Sequence, residues 1–111
     1  MKGNPKVIAS LNGLLHNELA AIDQYFTHSR MYQDWGLDKL FEQLDHEMQE
    51  EITHADALIK RILFLEGTPN LTDRRDLIIG NDVPSMLVND LTLEMEVVAA
   101  LKASITFHFI P

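Results

Sequence analysis

The chain contains no cysteine. That excludes disulfide frameworks, thiolate zinc sites and iron–sulfur clusters, each of which needs sulfur. Positive charge is scarce: 9 Lys and Arg stand against 17 Asp and Glu, for a formal net charge of −8. Nucleic acid and anionic membrane surfaces are therefore not expected as partners. An acidic surface fits cation traffic and plain solubility alike. No long apolar run follows the opening Met1-Lys2-Gly3-Asn4-Pro5, so neither a signal peptide nor a membrane span is expected, and a cytoplasmic location is. Repeats, low-complexity tracts, a Gly-rich phosphate loop and a Ser/His/Asp arrangement are also missing. Aromatic residues make up only 7% of the sequence.

What is present points to helices. Apolar residues account for 46% of the 111 positions, enough for one packed domain over residues 1–111. Leu, Ala, Met and Glu are plentiful and all favour helix. Asn4 can cap a first helix over about 5–35, with Pro5 at its first position. Its stripe runs Leu11, Leu14, Leu15, Glu18, Ile22, Tyr25 and Phe26, and Gly36 can terminate it. A second helix over about 38–65 follows almost at once, with the stripe Leu40, Leu44, Glu47, Glu51, His54, Ala55, Leu58, Ile62 and Leu65. Gly67 and Pro69 stop it. So short a connection makes an antiparallel hairpin.

Residues 67–82 lose the pattern, which is long for a connection inside one domain. A helix of this length is roughly 42 Å long, and the extended segment reaches about 53 Å. The segment can therefore cross the whole bundle and start a third helix, about 83–105, parallel to the second. Ile78 and Ile79 on it are expected to be buried against a neighbouring subunit. The third stripe reads Leu87, Leu91, Glu94, Val98, Leu101 and Ile105. Thr106 to Pro111 continues helical spacing poorly.

Glu51 and His54 sit three residues apart and reach the same space. Carboxylate oxygen and imidazole nitrogen suit Fe²⁺, Fe³⁺, Mn²⁺ and Zn²⁺. Alone this motif is weak, and a solvated Glu beside a partly buried His is its plainer reading. Glu18 and Glu94 change the balance. Each stands in an apolar stripe, and no Lys or Arg occupies the inner stripe of its helix. An unpaired buried carboxylate costs several kcal/mol, on the order of the penalty for any buried ion. One Glu on each of two helices with Glu-x-x-His on another is the ligand logic of a di-iron carboxylate bundle. Tyr25, two turns after Glu18, could relay an electron or be a core tyrosine with a satisfied hydroxyl. His46-Glu47-Met48-Gln49-Glu50 opens like a zinc-protease motif, but Glu50 stands where the second His belongs.

The segments Met1–Ile8, Asn17–Phe26, Trp35–Leu37, Glu51–Asp56 and Arg61–Leu71 closely resemble bacterioferritin, nearly collinearly to about Ser104. The resemblance implies an all-α, ferritin-like up-down bundle with a long crossover between helices 2 and 3. It implies a 24-subunit shell that oxidises Fe²⁺ with O₂ or peroxide and stores the ferric mineral. Glu18, Glu51, His54 and Glu94 would be iron ligands, with Glu51 and Glu94 bridging, and Tyr25 would assist. His46 and Glu50 would face the shell interior and take an additional iron.

Three departures stand out. The family's fourth helix, with a second Glu-x-x-His, is missing from this chain: His108 is preceded three residues earlier by Ile105. The family's haem-ligating Met is replaced by Ile52, which has no donor atom and argues against haem ligation here; a partner subunit would have to carry it. Met48 reads as a core or interface residue. Asp45 stands where the family has Tyr. The expectation is an iron-storage subunit with impaired ferroxidase activity, its chain shortened in or after the third helix, in a homo- or hetero-oligomer. The rival is a non-catalytic assembly subunit. Without metal the crowded carboxylates should leave at least one protonated near neutral pH.

Overall fold

The computed structural model describes residues 2–109, with side chains through Ile105. Three helices account for the regular structure: α1 (Pro5–Asp34), α2 (Asp38–Phe64) and α3 (Val83–Phe109). The described residues contain no strand. No helix among them is long and apolar enough to cross a membrane.

The start of α1 is built as its sequence suggests. Asn4 is extended, its side chain accepts the Lys6 N–H at 2.8 Å, and Pro5 occupies the first helical position. Such a cap contributes about 1 kcal/mol. At the other end Gly36 has φ +76°. The Leu37 N–H reaches the Tyr32 carbonyl at 2.9 Å, and the Gly36 N–H reaches that of Gln33 at 3.1 Å. This is a Schellman closure, with glycine at the position that requires the left-handed region.

The end of α2 closes the same way with a different residue in the left-handed place. Glu66, not Gly67, has φ +60°. Its N–H bonds Leu63 O at 3.0 Å, and that of Gly67 bonds Ile62 O at 2.9 Å. Gly67 is required for space instead: a Cβ there would lie 2.8 Å from Ile8 Cγ2.

The two helices form an antiparallel hairpin. Leu15, Ala55 and Ile62 pack as one buried cluster, the Gly3 N–H reaches Leu65 O at 2.9 Å, and Arg30 pairs with Asp45 at the far end. The crossover then climbs α1. Asn70 N–H donates to Asn12 Oδ1 at 2.8 Å, His16 contacts the Asn70 carbonyl at 3.0 Å, and Arg74 pairs with Asp23. Higher up, Ile78 N–H donates to Gln24 Oε1 at 3.1 Å and Gly80 N–H to His28 Nε2 at 3.0 Å. Each partner lies further along α1 than the last, so the segment spans the bundle. Asp82 and Ser85 cap α3 reciprocally, with the Ser85 N–H on Asp82 Oδ1 at 2.8 Å. From there α3 runs antiparallel to α1: Asp90 meets His28, and Glu94 meets Tyr25. Hence α3 is parallel to α2.

The buried face of α3 differs from the stripe expected from spacing. Met86, Asp90, Leu93 and Val97 are its buried residues, and Leu93 and Val97 join Ala21, Tyr25 and Met48 in the second core cluster. Leu87, Leu91, Val98, Leu101 and Ile105 are between 41% and 62% exposed. The reason is that α3 is apolar on two sides. One side meets α1; the other borders a groove between α2 and α3 that none of the described residues covers. Helix α3 also continues to Phe109, past the expected end near residue 105. The side chain of His108 and residues 110–111 lie outside the described residues. Ile78 and Ile79, expected to be buried against a neighbouring subunit, are half-exposed in the chain by itself.

Candidate metal centre

Glu51 and His54 project from the middle of α2 toward α1, where Glu18 faces them. The antiparallel pairing of α1 and α2 sets this register, since Leu15 below and Met48 above are both buried in the clusters of the seam. His54 Nδ1 lies 3.3 Å from Glu51 Oε2 and 3.6 Å from Glu18 Oε2. One ligand atom from each of the three falls within 4.8 Å of the others, and among the described residues this is the one such group. Glu18 and Glu51 are buried, whereas the His54 side chain is 57% exposed on the groove side. Glu94 arrives from α3 and lines the same cavity of about 360 Å³, together with Val97, Val98 and Leu101. It stands outside the tight group of three.

The electrostatics follow from this geometry. Burial pushes the Glu18 carboxyl above its ordinary range; the His54 imidazole opposes the shift and the Glu94 charge adds to it. That is the direction expected for crowded carboxylates without a cation. Glu18 Oε2 is buried and makes no hydrogen bond, with His54 Nδ1 standing just beyond that reach at 3.6 Å. A buried acceptor without a hydrogen bond, beside a second carboxylate and an imidazole, is a donor set that fits a divalent first-row metal. Tyr25 is buried and its hydroxyl donates to Glu94 Oε1. Burial first, then the bond to Glu94, raises its phenol well above the ordinary value, so it is a firmly protonated donor.

His46 and Glu50 are elsewhere. They pair with each other at 3.0 Å on an exposed face of α2 and do not join the group. Ile52 is half-exposed on the outer side of α2, and Met48 is a core methionine. Asp45 engages Arg30, whose guanidinium lies 4.6 Å from the centroid of the Phe26 ring.

Sequence reading missed a buried polar set one turn away. His28, Gln24 and Asp90 are buried, Gln24 and His28 both hydrogen-bond Asp90 Oδ1, and Tyr32 is buried nearby. The available signal was spacing: Gln24 and His28 are four apart on α1, and Asp90 lies four before Glu94 on α3.

Comparison with known proteins agrees with this architecture. The family model described as ferritin-like domain matches residues 8–107. A bacterial ferritin of Paramagnetospirillum magnetotacticum is 62% identical over 102 residues, covering 92% of this chain and 62% of that protein. One from Synechocystis is 60% identical over 102 residues, covering 92% and 65%. A bacterioferritin of Brucella melitensis is 46% identical over 104 residues, covering 94% and 65%. The chain thus spans just under two thirds of the length of these relatives. With the helix order, the crossover and these matches together, the chain belongs to the ferritin-like family, among the bacterial ferritins.

Proposed function

We propose that this chain is an iron-handling subunit that binds and oxidises Fe²⁺ at Glu18, Glu51, His54 and Glu94 and serves an iron store. The observation that carries the reading is the convergence of Glu18, Glu51 and His54 from two helices, with a buried Glu18 oxygen that makes no hydrogen bond. Fe²⁺ is the substrate: two ferrous ions would each give one electron to dioxygen or peroxide. Glu18 and His54 would hold one ion. Glu51 and Glu94 would reach toward a second. Tyr25, through its bond to Glu94, orients that carboxylate and is the nearest phenolic donor of an electron and proton.

The donor count limits the chain acting alone. Among the described residues it offers one imidazole and three carboxylates, which complete the shell of one ion and leave the second to bridging oxygens and water. One metal is therefore bound tightly and the other weakly, and paired oxidation is slow unless another segment or subunit supplies donors. His46 and Glu50, exposed and paired, would be an interior-facing iron station. Ile52 supplies no haem ligand. Assembly into a closed 24-subunit shell and a cytoplasmic location complete the proposal.

A second reading has its own observation. The apolar side of α3 is exposed along its described length, as a subunit that served only for assembly would also present. Stopped-flow oxidation of Fe²⁺ separates the two. The proposal expects oxidation that depends on His54 and is slow in the isolated chain. No oxidation above the buffer rate, and no change in His54→Ala, would favour the assembly role.

A further inference from the structure

Two parallel helices border the groove, and each carries carboxylates one turn apart: Glu47 and Glu51 on α2, Asp90 and Glu94 on α3. The i, i+4 spacing sets the members of each pair about 6 Å apart along the axis. Glu51 and Glu94 belong to the centre described above. Glu47 and Asp90 line a different cavity, about 210 Å³ in volume, with Tyr32, Gln43, Leu44 and Leu87 among its other walls.

Asp90 is held as metal-ligating carboxylates are held. Its Oδ1 accepts from Gln24 Nε2 at 2.9 Å and contacts His28 Nδ1 at 2.8 Å. The Gly80 N–H donates to His28 Nε2, which puts the ring proton on Nδ1 and makes it the donor to Asp90. Oδ1 is thus satisfied twice, while Oδ2 is buried and has no partner. A second group points to a missing occupant independently. Tyr32 comes from another helix, is fully buried, lines the same cavity, and its hydroxyl also has no partner. No Lys or Arg is among the lining residues, so two carboxylates face this space without a cation. Leaving the buried Asp90 carboxylate so is unfavourable.

We propose that Glu47 and Asp90 form a second divalent-cation site, with Asp90 Oδ2 and Glu47 as direct ligands and Tyr32 and Gln43 holding coordinated water. The donors are all oxygens, because the one imidazole nearby is engaged through both nitrogens. Such a donor set suits hard ions such as Mg²⁺ and Mn²⁺ and admits Fe²⁺. Lying one turn from Glu51 and Glu94, it is a loading station for the neighbouring centre. That role rests on reading the centre as an iron site; the binding itself does not.

The test is Mn²⁺ alone, soaked into crystals of the full chain and located by anomalous scattering. Wild type should show one peak at Glu18, Glu51 and His54 and another against Asp90 Oδ2 and Glu47. Glu47→Gln, at a partly exposed position, should lose the second peak and keep the first. In solution, electron paramagnetic resonance titration should show its weaker class of Mn²⁺ loosened about tenfold or more. Asp90→Asn should do the same where it folds. Water alone in the cavity at saturating Mn²⁺, or a second peak unchanged in Glu47→Gln, would overturn the site. A filled cavity beside an empty Glu18–Glu51–His54 group would keep the site and instead overturn the reading of the main centre.

Discussion

The α1–α2 seam and the α2–α3 groove are made from similar residues and finished differently. In the seam, Leu15, Ala55 and Ile62 are buried against each other, with Leu11 and Leu58 packed around them. In the groove, Leu87, Leu91, Val98 and Leu101 face open space. The polar groups divide the same way. Along the back of α1 the crossover is tied by Asn12, His16, Gln24 and His28, each with a partner. On the groove side are Glu18 Oε2, Tyr32 Oη and Asp90 Oδ2, the buried side-chain atoms found without a hydrogen bond among the described residues. Unsatisfied groups are costly, so their clustering on one side marks where this fold expects something more: metal, water or another polypeptide.

That contrast can be broken most forcefully in the seam. Ile62→Ala should destabilise the chain by about 3 kcal/mol, since Ile62 is fully buried, whereas Leu91→Ala, on the groove side, should change stability by less than about 0.5 kcal/mol. Denaturant melts of both variants measure the difference. Equal effects would mean that the groove is packed in solution.

His28→Ala comes next. It removes the acceptor of the Gly80 N–H and one donor to Asp90, and should cost about 2 kcal/mol. Hydrogen exchange at the Gly80 amide should accelerate before global unfolding does. An unchanged exchange rate would show that the crossover is held by its other ties.

Glu18 gives a smaller effect of opposite sign in the metal-free protein. Its carboxyl binds a proton more tightly in the folded chain than at the ordinary value of 4.5, with burial as the main cause. The folded state therefore loses stability as pH rises from that value through the raised one, where the buried group ionises. Glu18→Gln should flatten this decline and raise stability at neutral pH by about 1 kcal/mol. Thermal melts across pH 4–8 check it; a parallel decline in both proteins would rule Glu18 out as the source.

The smallest change sharpens the reading of the helix ends. Glu66→Gly should stabilise by about 0.5–1 kcal/mol, because the left-handed conformation suits glycine. A loss of stability would mean that the Glu66 side chain contributes more than its backbone strain costs.

Much of the fold was legible because the signals are local. Asn4 and Pro5 set one boundary and Gly36 another, each by backbone chemistry that does not depend on the rest of the chain. The crossover was legible from length, since an extended segment of that many residues can reach the far end of the bundle. At Gly67 the location was right and the reason different: glycine there makes room for Ile8, and Glu66 takes the strained angle. The face of α3 was misjudged because Leu, Val and Met occupy both sides of that helix, and periodicity cannot choose between two apolar faces. Glu18, Glu51 and His54 could be found from sequence because carboxylates in apolar stripes are conspicuous. Asp90 and His28 were missed despite their spacing, because a charged residue four positions before Glu94 looks like one more solvated acid until the Gly80 amide and Gln24 are seen around it. The pairing of Arg30 with Asp45 likewise depends on the register between helices.

An anaerobic equilibrium titration of the chain with Fe²⁺, compared with His54→Ala, tests the central claim most directly. The claim is that Glu18, Glu51 and His54, whose ligand atoms from two helices lie within 4.8 Å of one another, are the core of a metal site. One tight equivalent per chain, lost in His54→Ala, is the expected result. Absence of tight binding in wild type, or binding of equal strength without His54, would contradict it.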